Sequence, residues 1–445
     1  MKRVLFTAGV LATLVIPDRI VAQEADAERG RKALQTRAFT PAAWTIASYG
    51  KAWEQWEPKP NQKPADYDKA FMEYYGLHAA PFENPYPMGL RVGSRIIEKG
   101  VTSDCMLCHG GSIGGKSYIG LGNSALDIHA LFQDMSKASG LPQALPFTFS
   151  NVRGTSEAGN FAVYLLSYRE PDMKILPTRI DLGMREHLCE DVPAWWLLKK
   201  KKTMYHTGNS NARSVRSLMQ FALSPPNSAA FFDKEEATFR DIQAFILSLS
   251  PPKYPLPINK QVAVKGEAIF NQTCAKCHGT YGEKWTYPSK IVPIDEIGTD
   301  RTRFEGFTQK WADYYNKSWL AKEAGIDGSV KPAAGYQAPP LDGIWATAPY
   351  FHNGSVPTVY GVLNSKARPK IYTRSFKTDL DAYDADNVGW KVSVYINRPD
   401  PQLPAVQRRK VYDTTQPGRG NGGHTFGDDL SEEERRAVIE YLKTL

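Results

Sequence analysis

Apolar positions recur with helical spacing in two places that mirror each other. Ile242, Phe245, Ile246 and Leu249 form one stripe, and Val438, Tyr441, Leu442 and Leu445 form another at a constant offset of 196 residues. The second stripe is entered through Ser431 with Glu434 three residues on, the pattern of a capping box. Glycine-punctuated, helix-like segments run from Gly93 to Asp104 and from Gly266 to Thr273, and Leu126–Leu131 reads as part of a further helix. Between the two stripes lies Ser250-Pro251-Pro252-Lys253-Tyr254-Pro255-Leu256-Pro257, which cannot continue a helix and makes a stiff linker. The pattern predicts a mainly α protein of two helical domains with long loops. We place the first domain, with an N-terminal extension, at 30–250, the linker at 251–258 and the second domain at 259–445.

The N-terminus has a different pattern. Lys2 and Arg3 precede a mostly apolar run from Val4 to Pro17, and small residues follow between Ala22 and Ala27. This is the layout of a secretory signal peptide over residues 1–22, with cleavage between 22 and 27. Fourteen apolar residues fall short of the roughly 20 needed to span a bilayer. The mature chain is therefore expected to be exported, for instance to the periplasm, with no membrane span left after signal removal.

Composition narrows the class. The chain has 445 residues, 42% hydrophobic and 23% charged, which suits a globular protein with a sizeable core. A net charge of +8 is modest for this length and, without a recognised binding motif, does not point to nucleic acid. Five cysteines are too few for a disulfide scaffold.

Four of those cysteines carry the chemistry. Cys105-Met106-Leu107-Cys108-His109 and Cys274-Ala275-Lys276-Cys277-His278 both read C-x-x-C-H, the attachment pattern of c-type haem. Two thiols three positions apart can each form a thioether with a haem vinyl group, and the adjacent histidine becomes the proximal iron ligand. At this chain's Cys and His content, chance yields about 0.001 such patterns per chain. Two haem c groups are therefore expected, held by Cys105, Cys108, Cys274 and Cys277, with His109 and His278 on the irons. Cys189 has no partner left and reads as a small buried hydrophobe.

A second internal correspondence is sharper than the helix stripes. Val192-Pro193 precedes Tyr205-His206-Thr207-Gly208, and Ala338-Pro339 precedes Phe351-His352-Asn353-Gly354. The Pro-to-His spacing is 13 residues and the Pro-to-Gly spacing 15 in both. A duplicated haem domain explains this.

Residues 338–363, APPLDGIWATAPYFHNGSVPTVYGVL, resemble the second-domain signature of bacterial di-haem cytochrome c peroxidases and their relatives, the MauG-like enzymes and haem-dependent rubber oxygenases. VPAWWLLKKKKTMYHTG and GLGNSALDIHALF resemble first-domain segments more distantly. The resemblance implies two helical cytochrome domains with one haem each and electron passage between them, one haem meeting peroxide or dioxygen. It also allows a calcium ion between the domains, for which no ligand set stands out.

The sixth iron position separates electron transfer from catalysis. All nine methionines lie at or before Met219, so the second domain cannot supply its own thioether ligand. This departs from the classical peroxidases, whose second-domain haem is His/Met. His352 matches His206, a position that the family places around the haem rather than on the iron. That leaves His424, in the glycine-rich Gly422-Gly423-His424-Thr425-Phe426-Gly427, as the expected second ligand of a bis-His, low-potential haem. In the first domain His78, His129, His187 and His206, with several methionines, are all available, Met106 within the attachment loop being a poor candidate. His129 reads as a distal ligand, an acid–base group or a core histidine, and an open iron is the remaining alternative. The catalytic acid–base residue is not identified, although Glu235 and Glu236 fall in roughly the right region. The resemblance implies a haem-bridging tryptophan at the His206 position, from which this sequence departs; Trp195 and Trp196 lie nearby in sequence and read either as that bridge or as packing around the macrocycles.

Lys199-Lys200-Lys201-Lys202 concentrates positive charge. It reads as a solvated segment, a docking surface for an acidic redox partner such as a small cytochrome or cupredoxin, or a pairing site for haem propionates. The expected function is that of an exported di-haem oxidoreductase acting on peroxide, dioxygen or an organic substrate. The competing reading is a pure electron-transfer cytochrome.

Overall fold

The computed structural model describes residues 18–95, 98–141 and 147–445. Most of the expected leader, residues 1–17, lies outside that range. The cleavage window 22–27 falls within a helix, Asp18–Thr36.

Helices carry the framework, and the strands are short. Among the described residues no strand exceeds five residues, and the strands form two three-stranded sheets and four two-stranded pairs. Both predicted stripes are helices. Ala229–Ser248 buries Ile242, Phe245 and Ile246, with Leu249 as its C-cap. Glu432–Leu442 buries Val438, Tyr441 and Leu442 and carries the Ser431/Glu434 capping box. The segment ending at Thr273 is also helical, spanning Lys260–Thr273.

The segment Gly93–Asp104 is not a helix. Leu90–Ser94 and Lys99–Ser103 pair antiparallel, with Val92 opposite Val101, and Trp44–Thr45 adds a third strand through Trp44 opposite Val101. The physical reason lies in its composition. Gly93 and Gly100 face each other across the ladder, and such glycines weaken a helix interior while β-branched Val92, Val101 and Thr102 favour a pleated surface.

The counterpart of the Lys260–Thr273 helix is therefore Asp18–Thr36, much earlier in the chain. Each of these helices crosses its half's closing helix at a glycine. A Cβ at Gly30 would stand 1.9 Å from the Asp241 carbonyl oxygen, and one at Gly266 would stand 1.9 Å from that of Ala437. The first crossing is reinforced by Arg29 pairing with Asp241 at 2.8 Å.

The proline-rich linker runs without helix or strand, and its Pro252 carbonyl accepts a hydrogen bond from the Trp345 indole at 2.9 Å. The two halves share packing across it. Trp311, Ala312, Tyr315 and Leu320 follow the linker in sequence, yet they belong to the same buried cluster as Phe232, Phe239 and Ile242.

Candidate haem sites

Each C-x-x-C-H motif folds as a single helical turn, Met106–His109 and Ala275–His278. The His109 amide donates to the Cys105 carbonyl at 3.1 Å, and the His278 amide to that of Cys274 at 3.0 Å. The first turn is held at its start by Asp104, whose carboxylate accepts from the Met106 amide at 2.7 Å and pairs with buried Arg91. All four cysteines are free thiols. Burial pushes Cys108 up to about 12 and Cys274 up to about 11.

Both turns open onto one apolar cavity of about 800 Å³, lined by Cys105, Cys108, His109, Cys274, Cys277, His278 and also His424. Such a volume lies toward the upper end for small-molecule and cofactor sites.

The proximal histidines are oriented by the repeated prolines. His278 Nδ1 lies 2.8 Å from the Pro339 carbonyl. The Pro193 carbonyl acts on His109 in the same sense, raising its pKa against burial, although Nδ1 falls outside strict hydrogen-bond geometry. A backbone carbonyl on Nδ1 fixes the tautomer and leaves Nε2 for a metal. Burial lowers His109 to about 4 and lowers His278 as well, keeping both rings in the neutral form that ligates.

The structure places His424 across from His278. Their ring centres are 6.2 Å apart and their planes cross at 60°. Two imidazoles sharing one iron would put their centres roughly 6.2 Å apart, taking about 2.0 Å per metal–nitrogen bond and about 1.1 Å from nitrogen to ring centre. The observed spacing fits. His424 is neutral too, lowered to about 4 by burial and then by His278.

Its loop is built for close approach. Gly423 has φ 72°, and a Cβ there would stand 2.2 Å from the Gly298 carbonyl carbon. His424 itself has φ 46°, and its amide donates to the Ile297 carbonyl at 2.7 Å. Arg368 clamps the loop by donating to the carbonyls of Asn421 and Gly423, each at 2.7 Å, and of His424 at 3.1 Å. Nothing in the sequence singled out Arg368.

The first site differs. The ring stacked near His109 is Trp195, 4.8 Å away and inclined by 25°. Of the first-domain histidines weighed above, only His206 lines the cavity. His129 instead accepts from the Phe149 amide through Nδ1 at 3.2 Å and is half-buried, away from the cavity wall. His78 bonds Asn123 at 3.2 Å, and His187 lies 3.9 Å from Glu186. Glu235 pairs with Arg37 at 2.7 Å and Glu236 with Arg216 at 2.9 Å, both outside the cavity wall. Trp196 donates its indole N–H to the Asp342 carbonyl at 2.8 Å. Cys189 is buried, pushed up to about 12, and remains an inert hydrophobe.

The repeat is visible as paired geometry. The Asp191 amide donates to the His352 carbonyl, and the Gln337 amide donates to the His206 carbonyl, both at 2.7 Å. These two bonds join positions related by the repeat, each half giving one donor and one acceptor. Tyr205 and Phe351 share a left-handed backbone, with φ 67° and 70°. His206 and His352 end with ring centres 6.3 Å apart, close to the His278–His424 spacing. Their donors are engaged, however: His206 Nε2 lies 2.9 Å from the Asp191 carbonyl and His352 Nε2 lies 3.1 Å from the Tyr336 hydroxyl. This pair is not a second iron site.

The lysine run is dispersed by the fold. Lys200 pairs with Asp342 at 2.8 Å and lies over the Tyr281 and Trp285 rings, while Lys201 turns into the cavity. Among the described residues no group of three or more His, Cys, Asp or Glu side chains is placed to hold a further metal ion, and no helix is long and apolar enough to cross a membrane.

Comparison with known proteins bears on part of the chain. Residues 335–373, which include Pro339 and His352, match the RoxA-like, cytochrome c-like family. The chain is 30% identical over 241 residues to the uncharacterized protein y4iM of Sinorhizobium fredii (strain NBRC 101917 / NGR234), covering 45% of this chain and 52% of that one. It is 26% identical over 262 residues to y4iJ of the same strain, covering 44% and 41%. The chain thus spans about half the length, or less, of these curated relatives. Among solved structures, hydrazine synthase of Kuenenia stuttgartiensis pressurized with 20 bar xenon aligns at 12% identity with a TM-score of 0.26, over 68% of this chain and 89% of that one. Residues 335–373 are cytochrome c-like, and haem c is the cofactor such a segment carries.

Proposed function

We propose that the protein is an exported di-haem c-type oxidoreductase in which two unlike haems share one cavity. The observation that carries this reading is the asymmetry of the two sites. His424 stands 6.2 Å from His278, ring centre to ring centre, whereas Trp195 is the ring beside His109. When bound, haem supplies one-electron chemistry and, where a coordination position stays open, a place for an exogenous ligand.

The residues divide the work accordingly. His278 and His424 would hold the second haem six-coordinate, the arrangement of an electron store. Pro339 orients the first of these and the Arg368-clamped loop presents the second. Cys105, Cys108 and His109 would hold the first haem in a cavity whose apolar wall includes Phe39, Phe161 and Phe239. An apolar wall excludes water and suits peroxide, dioxygen or an apolar organic substrate. Trp195, stacked near His109, lies where electrons would leave or enter the first haem. A soluble redox partner would supply or accept them.

Electron paramagnetic resonance of the oxidised protein tests the reading. We expect one low-spin bis-His signal and one high-spin signal that responds to an added ligand. Two low-spin haems indifferent to peroxide and carbon monoxide would mean a pure electron carrier instead.

A further inference from the structure

The cavity wall contains a charge imbalance that the two iron sites do not explain. Outside the attachment motifs its cationic side chains among the described residues are Lys201 and Arg303. Arg303 is 2% exposed, and its Nη1 is buried without a hydrogen-bond partner. Lys201 makes one polar contact, to the Tyr205 carbonyl at 3.3 Å. Burial, and then the charge of Arg303, lowers its pKa to about 7.

The carboxyl groups of the wall do not balance them. Asp104 is paired with Arg91, and burial raises Asp191 well above the usual carboxylate range. Among the described residues of the wall only Glu190 remains, 2.7 Å from Arg303 Nε. The neighbouring His206 and His352 are both held neutral by burial. Two cationic groups in an apolar enclosure, with a carboxylate recorded against Arg303 alone, are costly unless a further anion completes the set.

We propose that Lys201 and Arg303 form a carboxylate clamp, and that its occupant is a propionate side chain of a bound haem. This rests on the haem-binding reading above. The clamp is specific in kind: Arg303 presents an unused N–H edge, suited to a planar carboxylate, and Lys201 adds a point charge beside it. It also singles out Lys201 from the lysine run, whose neighbours Lys199, Lys200 and Lys202 do not line the cavity.

The test uses the holoprotein with Lys201→Met, Lys201→Arg and Arg303→Lys variants. Haem per chain is counted first, by mass and pyridine haemochrome, so that failure of the di-haem reading is seen separately from failure of the clamp. Resonance Raman then reads the propionate-bending region, and spectroelectrochemistry the midpoint potentials. Removing a positive charge beside a carboxylate-bearing haem favours its oxidised form. We expect Lys201→Met to shift one haem's redox equilibrium by about tenfold, near 59 mV downward for a one-electron couple. We expect its propionate band to move, and Lys201→Arg to restore both. Unchanged bands and potentials in Lys201→Met and Arg303→Lys would overturn the clamp. Acetate and benzoate distinguish the two sources of carboxylate. If either perturbs the wild-type haem spectrum and Lys201→Met abolishes that response, the clamp serves a diffusible carboxylate and the propionate assignment fails.

Discussion

His424 enters the cavity on a left-handed backbone (φ 46°) behind a glycine that touches Gly298, so its position is imposed by the loop. A His424→Ala variant should lose the low-spin bis-His signal of the second haem while both haems stay attached, because the thioethers come from cysteines. Electron paramagnetic resonance with a mass measurement checks this, and an unchanged signal would assign the sixth ligand elsewhere. At the same scale, burial lowers His78 to about 4 from an ordinary 6.5. Between those values the unfolded chain binds the proton and the folded chain does not, so stability is present above pH 6.5 and is lost as pH falls toward 4. His78→Gln should flatten that loss by on the order of 2 kcal/mol, taking about 1.36 kcal/mol per unit and discounting for partial exposure. Urea titrations at pH 7 and pH 4.5 measure the difference.

Elements meet most closely at the two glycine crossings. Gly266→Ala places a methyl group where the Ala437 carbonyl already sits, and helix backbones have no rotamer with which to yield. We expect a loss of about 3 kcal/mol or more, at or above the upper end for overpacked cores, read as a lowered denaturation midpoint. Gly30→Ala should act similarly on the first half through Asp241. The helix stripes were legible in the sequence because burial on one face leaves a 3.6-residue period. The pairing of Leu90–Ser94 with Lys99–Ser103 was not, because glycine spacing alone does not distinguish a helix from a pair of strands. The match between the Asp18–Thr36 and Lys260–Thr273 helices was hidden as well. In the first half a long insertion separates that helix from its cysteines, and in the second half they adjoin.

Across the whole molecule the halves are tied by buried charge. Arg409, from the second half, donates to both carboxylate oxygens of Asp127 at 3.0 Å, and Asp127 also caps the Ile128–Ala138 helix through the Ala130 amide. Arg409→Met leaves that carboxylate buried and unpaired. A loss of roughly 3–5 kcal/mol is expected, and an Asp127→Asn/Arg409→Met double variant should recover part of it. Denaturant unfolding of the single and double variants would show this, and strictly additive effects would refute the coupling.

The sequence by itself displayed the two C-x-x-C-H motifs and the internal repeat. C-x-x-C-H needs only adjacent residues on one helical turn, and a repeat of fixed spacing survives in the linear text. It also singled out His424, because no methionine follows Met219 and few histidines remain. The tertiary structure alone decided which groups meet. It brought His424 to 6.2 Å from His278, joined both motifs to one cavity, and turned Lys201 inward beside Arg303, 102 positions away. It also left His129 on a core amide and Glu235 on an arginine. Those outcomes depend on burial and on contacts between residues distant in sequence, which local spacing does not encode.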